Sequence, residues 1–301
     1  MGTGPSTRED HTWTVDGNGT AAYLFGGRDG DDISNELWVF DLQSDEWTIA
    51  TPSGPGPDAR FGHTATWVPD FGLVIWSGQA GSTFFDDIWA YEPTAGAWRE
   101  LPSLGDLPPA RYGSCASLGP DGRLWISHGF TDTGRFDDTR AYDFGTGEWT
   151  DETPDGDRPV QRCLHDCYWS SGDTLILYGG QTNGVPALGD LWTYDPATSA
   201  WQEGPQPAAA PRQLYSLAVA DGVGIVFGGG AENGGYLDDT WLINHLIPEM
   251  SEQPFQTRPP ARSGATLIPA GGSRYLLFGG RNEDGALSDM WQLNGFFSTR
   301  P

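Results

Sequence analysis

Six short apolar runs ending in glycine recur at a nearly constant interval along this chain. They are Leu24-Phe25-Gly26-Gly27, Ile75-Trp76-Ser77-Gly78, Ile126-Ser127-His128-Gly129, Leu177-Tyr178-Gly179-Gly180, Val226-Phe227-Gly228-Gly229 and Leu277-Phe278-Gly279-Gly280. Their last glycines are separated by 51, 51, 51, 49 and 51 residues. A fixed period constrains the fold more than any single motif, because each copy must be one structural unit that packs on its neighbours. The repeat runs from near residue 8 to near residue 299, which predicts one domain over 1–301.

The second copy shows what the unit is. Residues 60–67 read as a first strand. Gly72-Leu73-Val74-Ile75-Trp76 is a continuous apolar run, the pattern of a strand buried on both faces. A loop follows, then Asp86-Asp87-Ile88-Trp89-Ala90-Tyr91 as a third strand, a turn at Pro93-Thr94-Ala95-Gly96, and Trp98-Arg99-Glu100-Leu101 as a fourth. No segment carries sustained helical periodicity. The 43 glycines and 23 prolines therefore serve turns rather than low complexity, since 14 Trp, 14 Phe and 10 Tyr are spaced to fill a core. Four antiparallel strands repeated six times predict an all-β fold, a six-bladed β-propeller. Trp38, Trp89, Trp192, Trp241 and Trp291 are equivalent on the third strand, and Trp47, Trp98, Trp149 and Trp201 on the fourth. Each, buried between blades, contributes about 2–3 kcal/mol.

A glycine doublet, an acidic residue two before an aromatic, a Tyr-Asp ending and a Trp nine residues later resemble the kelch repeat. Gly179-Gly180, Asp190-Leu191-Trp192-Thr193-Tyr194-Asp195 and Trp201 show it most fully. The resemblance covers nearly the whole chain and implies blades near 8–51, 60–101, 111–152, 162–203, 212–256 and 262–299. Blades 5 and 6 depart from it. The ninth residue after Trp241 is Met250, and after Trp291 it is Arg300. Asn244-His245 and Asn294-Gly295 read instead as two-residue hairpin turns. Phe296 to Thr299 are then expected as the last strand of blade 6, with the ring closed by blade packing rather than by a borrowed strand. An N-terminal strand absent from the sequence is the rival reading.

Net charge bounds the partners. The chain carries −25, and all 16 of its cationic side chains are arginine, with no lysine. Such a field repels phosphate, so neither nucleic acid nor an anionic membrane is expected as a partner. Lysine Schiff-base chemistry is excluded. No stretch reaches the ~18 apolar residues of a membrane span, and the first ten residues hold no apolar run. The expectation is a cytoplasmic monomer, export with a removed signal being the alternative. Cys163 and Cys167 lie too far apart along a strand to bridge; Cys115 is within reach of either from the neighbouring repeat. Reduced, half-buried cysteines are expected.

Candidate binding residues follow from aligning the copies. Loops 28–34, 79–84, 131–135, 181–188, 230–236 and 281–287, with the long inter-blade loops 150–161 and 245–261, fall on one face, and binding residues concentrate on such loops. In kelch propellers this is commonly the binding face. Arg8, Arg60, Arg111, Arg162, Arg212 and Arg262 begin the six first strands and form a ring near the channel mouth. Two roles follow: an anion site, or pairing with the acidic residue that recurs at Asp87, Asp138, Asp190, Asp239 and Asp289. Three residues after each arginine stand His11, His63, Ser114, His165, Tyr215 and Ala265. Blade 3 breaks the pattern, with His128 for the first glycine and Arg140 for the tryptophan. His63, His128, His165 and Tyr215 join the arginines as candidate ligand contacts.

No metal and no cofactor are expected. Asp29-Gly30-Asp31-Asp32 lacks the rest of a calcium loop. Asp157, Gln161 and His165 stand four apart, loosely similar to the iron pattern of the plant kelch specifier proteins, from which Gln161 departs. The leading reading is a binding module that takes a protein, a peptide or a small anionic ligand at the channel mouth. The alternatives are a kelch-type lyase or sugar isomerase-like enzyme, with His63, His128, His165, Tyr215 and the arginines as acid, base and anion clamp, and a purely architectural domain.

Overall fold

In the computed structural model, which describes residues 4–244, 249–253 and 258–294, each glycine-ended run is the second strand of an antiparallel blade. Blade 1 takes all four of its strands from one stretch: Thr12–Val15, Ala21–Phe25, Leu37–Asp41 and Glu46–Ala50, side by side in chain order. Blade 2 repeats this with Thr64–Val68, Gly72–Trp76, Ile88–Glu92 and Ala97–Glu100. The second strand is buried on both faces because it lies inside its sheet, between neighbouring blades. Six such blades make an all-β propeller. Among the described residues there is no helix long and apolar enough to cross a membrane.

Among the described residues the hydrophobic core is six clusters, one per junction. Blades 2 and 3 share Val74, Trp76, Ile126, Tyr142 and Trp149; blades 6 and 1 share Trp13, Leu24, Trp38, Leu276 and Phe278. A lone blade would leave these faces in water, so the ring is what buries them.

Hydrogen bonds repeat at every junction as well. The backbone N–H of each ring arginine donates to the loop of the preceding blade: Arg60 to Ser34, Arg111 to Phe85, Arg162 to Phe136, Arg212 to Leu188, Arg262 to Leu237 and Arg8 to Leu287. Its carbonyl accepts the N–H of that blade's second glycine, from Gly27 to Arg60 at 2.9 Å through to Gly280 to Arg8 at 2.9 Å. Two residues further on, the N–H donates to the equivalent carbonyl of the preceding blade. Asp10 donates to Gly264, Gly62 to Asp10, Gly113 to Gly62, Leu164 to Gly113, Leu214 to Leu164 and Gly264 to Leu214, a closed cycle. Blade 6 thus meets blade 1 through the same bonds as any other pair. The second glycine is needed for this approach: Gly27 has φ +91, and a Cβ there would lie 2.8 Å from the His11 Cβ.

Three expectations are revised. In blade 5, Ile243 pairs with Met250 and the Asn244 N–H reaches the Glu249 carbonyl, so Asn244-His245 is not a two-residue turn. Met250 takes the place of the fourth-strand tryptophan, buried in the cluster with Trp241. Cys115 and Cys167 form a disulfide between blades 3 and 4, with Cα atoms 5.5 Å apart, and only Cys163 is a free thiol, fully buried. Successive side chains of an inner strand point to opposite neighbours, so Cys115 faces blade 4 while Cys167 faces blade 3. Blade 3 also gains a fifth strand, Leu104–Gly105, parallel to its outer strand Glu148–Asp151. The expected strand at Phe296 to Thr299 lies outside the described residues.

Candidate functional site at the channel mouth

The six ring arginines are turned into their own blades. Arg60 is fully buried: its Nε donates to the Asp58 carbonyl, Nη1 to the Ser77 carbonyl, and the two Nη groups grip Asp87 at 2.6 and 2.9 Å. The same four-point clamp joins Arg111 to Asp138, Arg162 to Asp190, Arg212 to Asp239 and Arg262 to Asp289. Arg8 makes a one-point version with Glu36 at 2.7 Å. Burial alone would raise the pKa of Asp138, Asp190, Asp239 and Asp289, but the arginine hydrogen bonds and charge outweigh it and hold all four below the usual carboxylate range. The second carboxylate oxygen also accepts the indole N–H of Trp89, Trp192, Trp241 or Trp291. The expected anion ring is therefore a set of internal clamps, because each guanidinium fork already matches a carboxylate of its own blade.

The other singled-out residues also face inward. The His63 ring packs edge-on against Phe25 of blade 1, and its Nε2 lies 2.8 Å from the Thr12 hydroxyl. The Tyr215 hydroxyl donates to the Tyr178 carbonyl at 2.7 Å. His165 and His128 pack edge to face with centroids 5.4 Å apart, and His128 Nδ1 pairs with the Ser127 hydroxyl. Burial, aided by neighbouring arginines, drives the pKa of His63 and His128 well below the ordinary value; burial and then His128 do the same for His165. Burial and Arg8 take His11 down to about 3. These imidazoles are neutral wedges between blades. Arg140 supplies to Asp138 the N–H that tryptophan supplies elsewhere, at 3.1 Å. Asp157 and Gln161 are exposed while His165 is buried, so that trio does not converge. Among the described residues no three metal-ligating side chains group together.

What does meet at the mouth is the residue after each ring arginine, bridged to the residue after each glycine pair. Around the ring these are Glu9 with Arg28, Phe61 with Gln79, Tyr112 with Phe130, Cys163 with Gln181, Gln213 with Gly230, and Ser263 with Arg281. Blades 2 and 3 contribute an aromatic wall. The Phe61 and Tyr112 centroids are 5.6 Å apart, and Phe130 lies 6.3 Å from Tyr112 and 6.0 Å from Phe84. Tyr112 lies over Gly62, where even a Cβ would collide with its ring. Burial, followed by the charges of Asp10, Cys163 and Glu9, pushes its phenol well above the usual range, with Arg28 opposing.

Two arginines outside the clamp ring flank this wall, and a third meets the first across Glu9. Arg28 sits 4.1 Å from the centroid of Phe61, with its side chain 29% exposed. Arg281, 44% exposed, pairs with Glu9 at 3.0 Å. Arg135 lies 5.3 Å from the Phe130 centroid and donates to Asn183. Below the mouth the inner strands line a cavity of about 230 Å³, with Asp10 and Asp166 among its lining residues. Burial raises the pKa of Asp166 to about 7, only partly offset by the Cys167 N–H. Sequence reasoning singled out loops 28–34, 131–135 and 281–287 but missed these arginines and Asp10. The available signal was their position beside the recurring arginine and glycines, where the six copies disagree.

A family model described as the KLHDC2/KLHL20/DRC7 Kelch-repeats domain matches residues 1–180 and 146–296. Kelch domain-containing protein 1 of Mus musculus is 30% identical over 284 residues, covering 79% of this chain and 67% of that protein. The Rab9 effector protein with kelch motifs of Xenopus laevis is 32% identical over 206 residues, covering 65% of this chain and 56% of that protein. The N-(sulfonatooxy)prop-2-enimidothioate sulfolyase of Thlaspi arvense is 26% identical over 253 residues, covering 76% of this chain and 72% of that enzyme. With the six-bladed architecture and a family match across nearly its whole length, the chain belongs to the kelch-repeat family.

Proposed function

We propose that this chain is a binding module that takes a segment of a protein partner at the channel mouth, gripping a carboxylate with Arg28, Arg281 and Arg135 and laying an apolar group on the partly exposed rings of Tyr112 and Phe130. The observation that carries this reading is the contrast between two sets of arginines. The six clamps are buried and paired, whereas Arg28 and Arg281 keep exposed surface, Arg28 over the ring of Phe61, on a molecule of net charge −25. Exposed guanidinium groups stacked on aromatics suit carboxylate recognition, since they present N–H groups in a fixed fork while the ring covers the flat face. Relatives named as kelch-domain proteins, one of them a Rab9 effector, support a protein as the ligand.

Selection of random peptides against immobilised protein tests it. Acidic sequences with an aromatic residue should enrich on the wild type, and the enriched peptides should weaken at least tenfold on Arg28→Ala, Arg135→Ala and Arg281→Ala. Arg99→Ala, on the outer strand of blade 2, should bind them unchanged. Peptides that bind all four variants equally would place the binding surface elsewhere.

A further inference from the structure

Arg28 is not idle in the structure. Its Nη2 lies 3.1 Å from Asp10 Oδ2 and its Nε 3.5 Å from Glu9 Oε1, while Arg281 takes Glu9 from the other side at 3.0 Å. Two cations thus face two carboxylates. Both carboxylate side chains are almost wholly buried, 3% exposed for Glu9 and 0% for Asp10, while both arginine side chains are partly exposed. Neither oxygen of Asp10 has a hydrogen-bond donor in good geometry among the described residues. Its Oδ1 sits over Gly264 of blade 6, so close that a Cβ there would lie 2.7 Å away. Asp10 itself adopts φ 55, a left-handed conformation held by the cycle of inter-blade bonds through its own N–H and carbonyl. At the same level the other blades carry Gly62, Gly113, Leu164, Leu214 and Gly264, so Asp10 is the one charged member of that ring.

We infer that Asp10 is an internal anion competing with the ligand for Arg28, so that the mouth takes up a proton when it takes up a carboxylate. The inference rests on the mouth reading above. With Asp10 ionised, the four-residue cluster sums to zero charge and Arg28 is satisfied from below. With Asp10 protonated, Arg28 and Arg281 share Glu9 alone, and the cluster carries one net positive charge that faces solvent. An arriving carboxylate then replaces Asp10 as the partner of Arg28, and its negative charge further favours the protonated Asp10.

The surroundings place this exchange near neutrality. Burial raises the Asp10 pKa most, Glu9 raises it further, and Arg28 and Arg281 oppose, leaving it at about 7. The phenol of Tyr112 also faces the cluster and stays neutral, its pKa lifted by burial. The neighbouring inner-strand positions, Gly62 of blade 2 and Gly264 of blade 6, bring nothing titratable. The sign follows from linkage. Below about pH 7 Asp10 is protonated in both free and bound protein, and affinity is level. Above it the free protein has lost the proton that the bound form retains, so affinity falls by up to about tenfold per pH unit.

Benzoate, one carboxylate on one ring, is a suitable probe. Its dissociation constant, read from chemical-shift titration between about pH 6 and about pH 8.5, should rise roughly tenfold in the wild type, and in two buffers of different ionisation enthalpy the heats should report proton uptake. Asp10→Asn keeps the shape, tolerates the left-handed backbone and does not titrate. It should bind at high pH as well as the wild type does at low pH, with a flat profile. The carboxyl-carbon resonance of Asp10 in the wild type should titrate near neutrality and move to higher pH with benzoate, a reading that needs no variant. A flat wild-type profile, or an unchanged slope in Asp10→Asn, overturns the inference and leaves the mouth as a binding site. Benzoate binding to neither protein at any pH overturns both.

Discussion

At the scale of single residues, the same side-chain type plays opposite parts according to burial. Arg162 lies wholly inside blade 4 and holds Asp190 at 2.7 and 2.6 Å, along with the carbonyls of Gly179 and Val160. Removing one partner of such a pair strands the other, which costs about 3–5 kcal/mol. Arg162→Ala should therefore lose stability of that order in urea unfolding. Arg162→Lys should recover little, because an ammonium cannot make the fork. Full recovery by lysine would mean that charge alone, not the four-point geometry, is what the blade needs. Asp166 is the contrary case. Its folded pKa near 7 stands above the ordinary value of about 3.9, so the native state holds its proton longer than the unfolded chain does. Its contribution is complete below about pH 4 and is lost as pH rises toward 7, after which it stays level. Asp166→Asn should thus be more stable than the wild type by about 2–4 kcal/mol at pH 8 and equal to it near pH 4. An equal difference at both pH values would show a packing effect instead of a charge effect.

At the scale of strands and junctions, what recurs was legible in the sequence and what is particular was not. The apolar second strands, the tryptophans and the acidic partner of each arginine repeat in register, so six copies average out the accidents of any one. The symmetry breaks were legible as positions but misleading as signals. His128, Arg140 and Tyr215 differ from their equivalents because each fills or bonds a space that glycine, tryptophan or histidine fills elsewhere. Met250 likewise replaces a tryptophan without disturbing the pairing. The mouth was illegible because its residues sit beside the recurring ones and share no type. The disulfide was illegible because it depends on which face of an inner strand each cysteine occupies. That bond joins blades 3 and 4 across a sequence separation of 52, for which the chain-entropy account gives about 4 kcal/mol. A reductant should lower the denaturation midpoint of the wild type to that of Cys115→Ser and leave that variant unmoved. Cys163→Ser should respond as the wild type does, since Cys163 stands outside the bridge. Insensitivity of the wild type to reductant would show that the hydrogen bonds of the junction suffice without the bridge.

For the whole molecule, six equivalent junctions do not mean six equally secure ones. Five are also joined through the chain, since each blade runs directly into the next. The junction of blades 6 and 1 has only its contacts. These include the shared core of Trp13, Leu24 and Phe278, the bonds of Arg8 to Leu287 and Gly280, the bond of Asp10 to Gly264, that of Thr266 to the His11 carbonyl at 3.1 Å, and the pairs of Arg281 with Glu9 and Arg274 with Asp45. Most of the polar part comes from residues 8–11. A chain beginning at Thr12 keeps every strand of blade 1 yet loses the arginine clamp, both backbone bonds of Arg8 and the Asp10 link of the inner cycle. Opening there exposes two blade faces at once, so the loss should exceed that of the same substitutions in mid-chain and should be local. Hydrogen exchange in the truncated protein should quicken first on either side of blade 1, at the amides of Gly280 in blade 6 and Gly62 in blade 2, which lose their acceptors Arg8 and Asp10. The amides of Leu164 and Gly180, bonded across the junctions on either side of blade 4, should keep their protection. Uniform loss of protection around the ring would instead mean that the propeller opens as one cooperative unit, with no junction weaker than the rest.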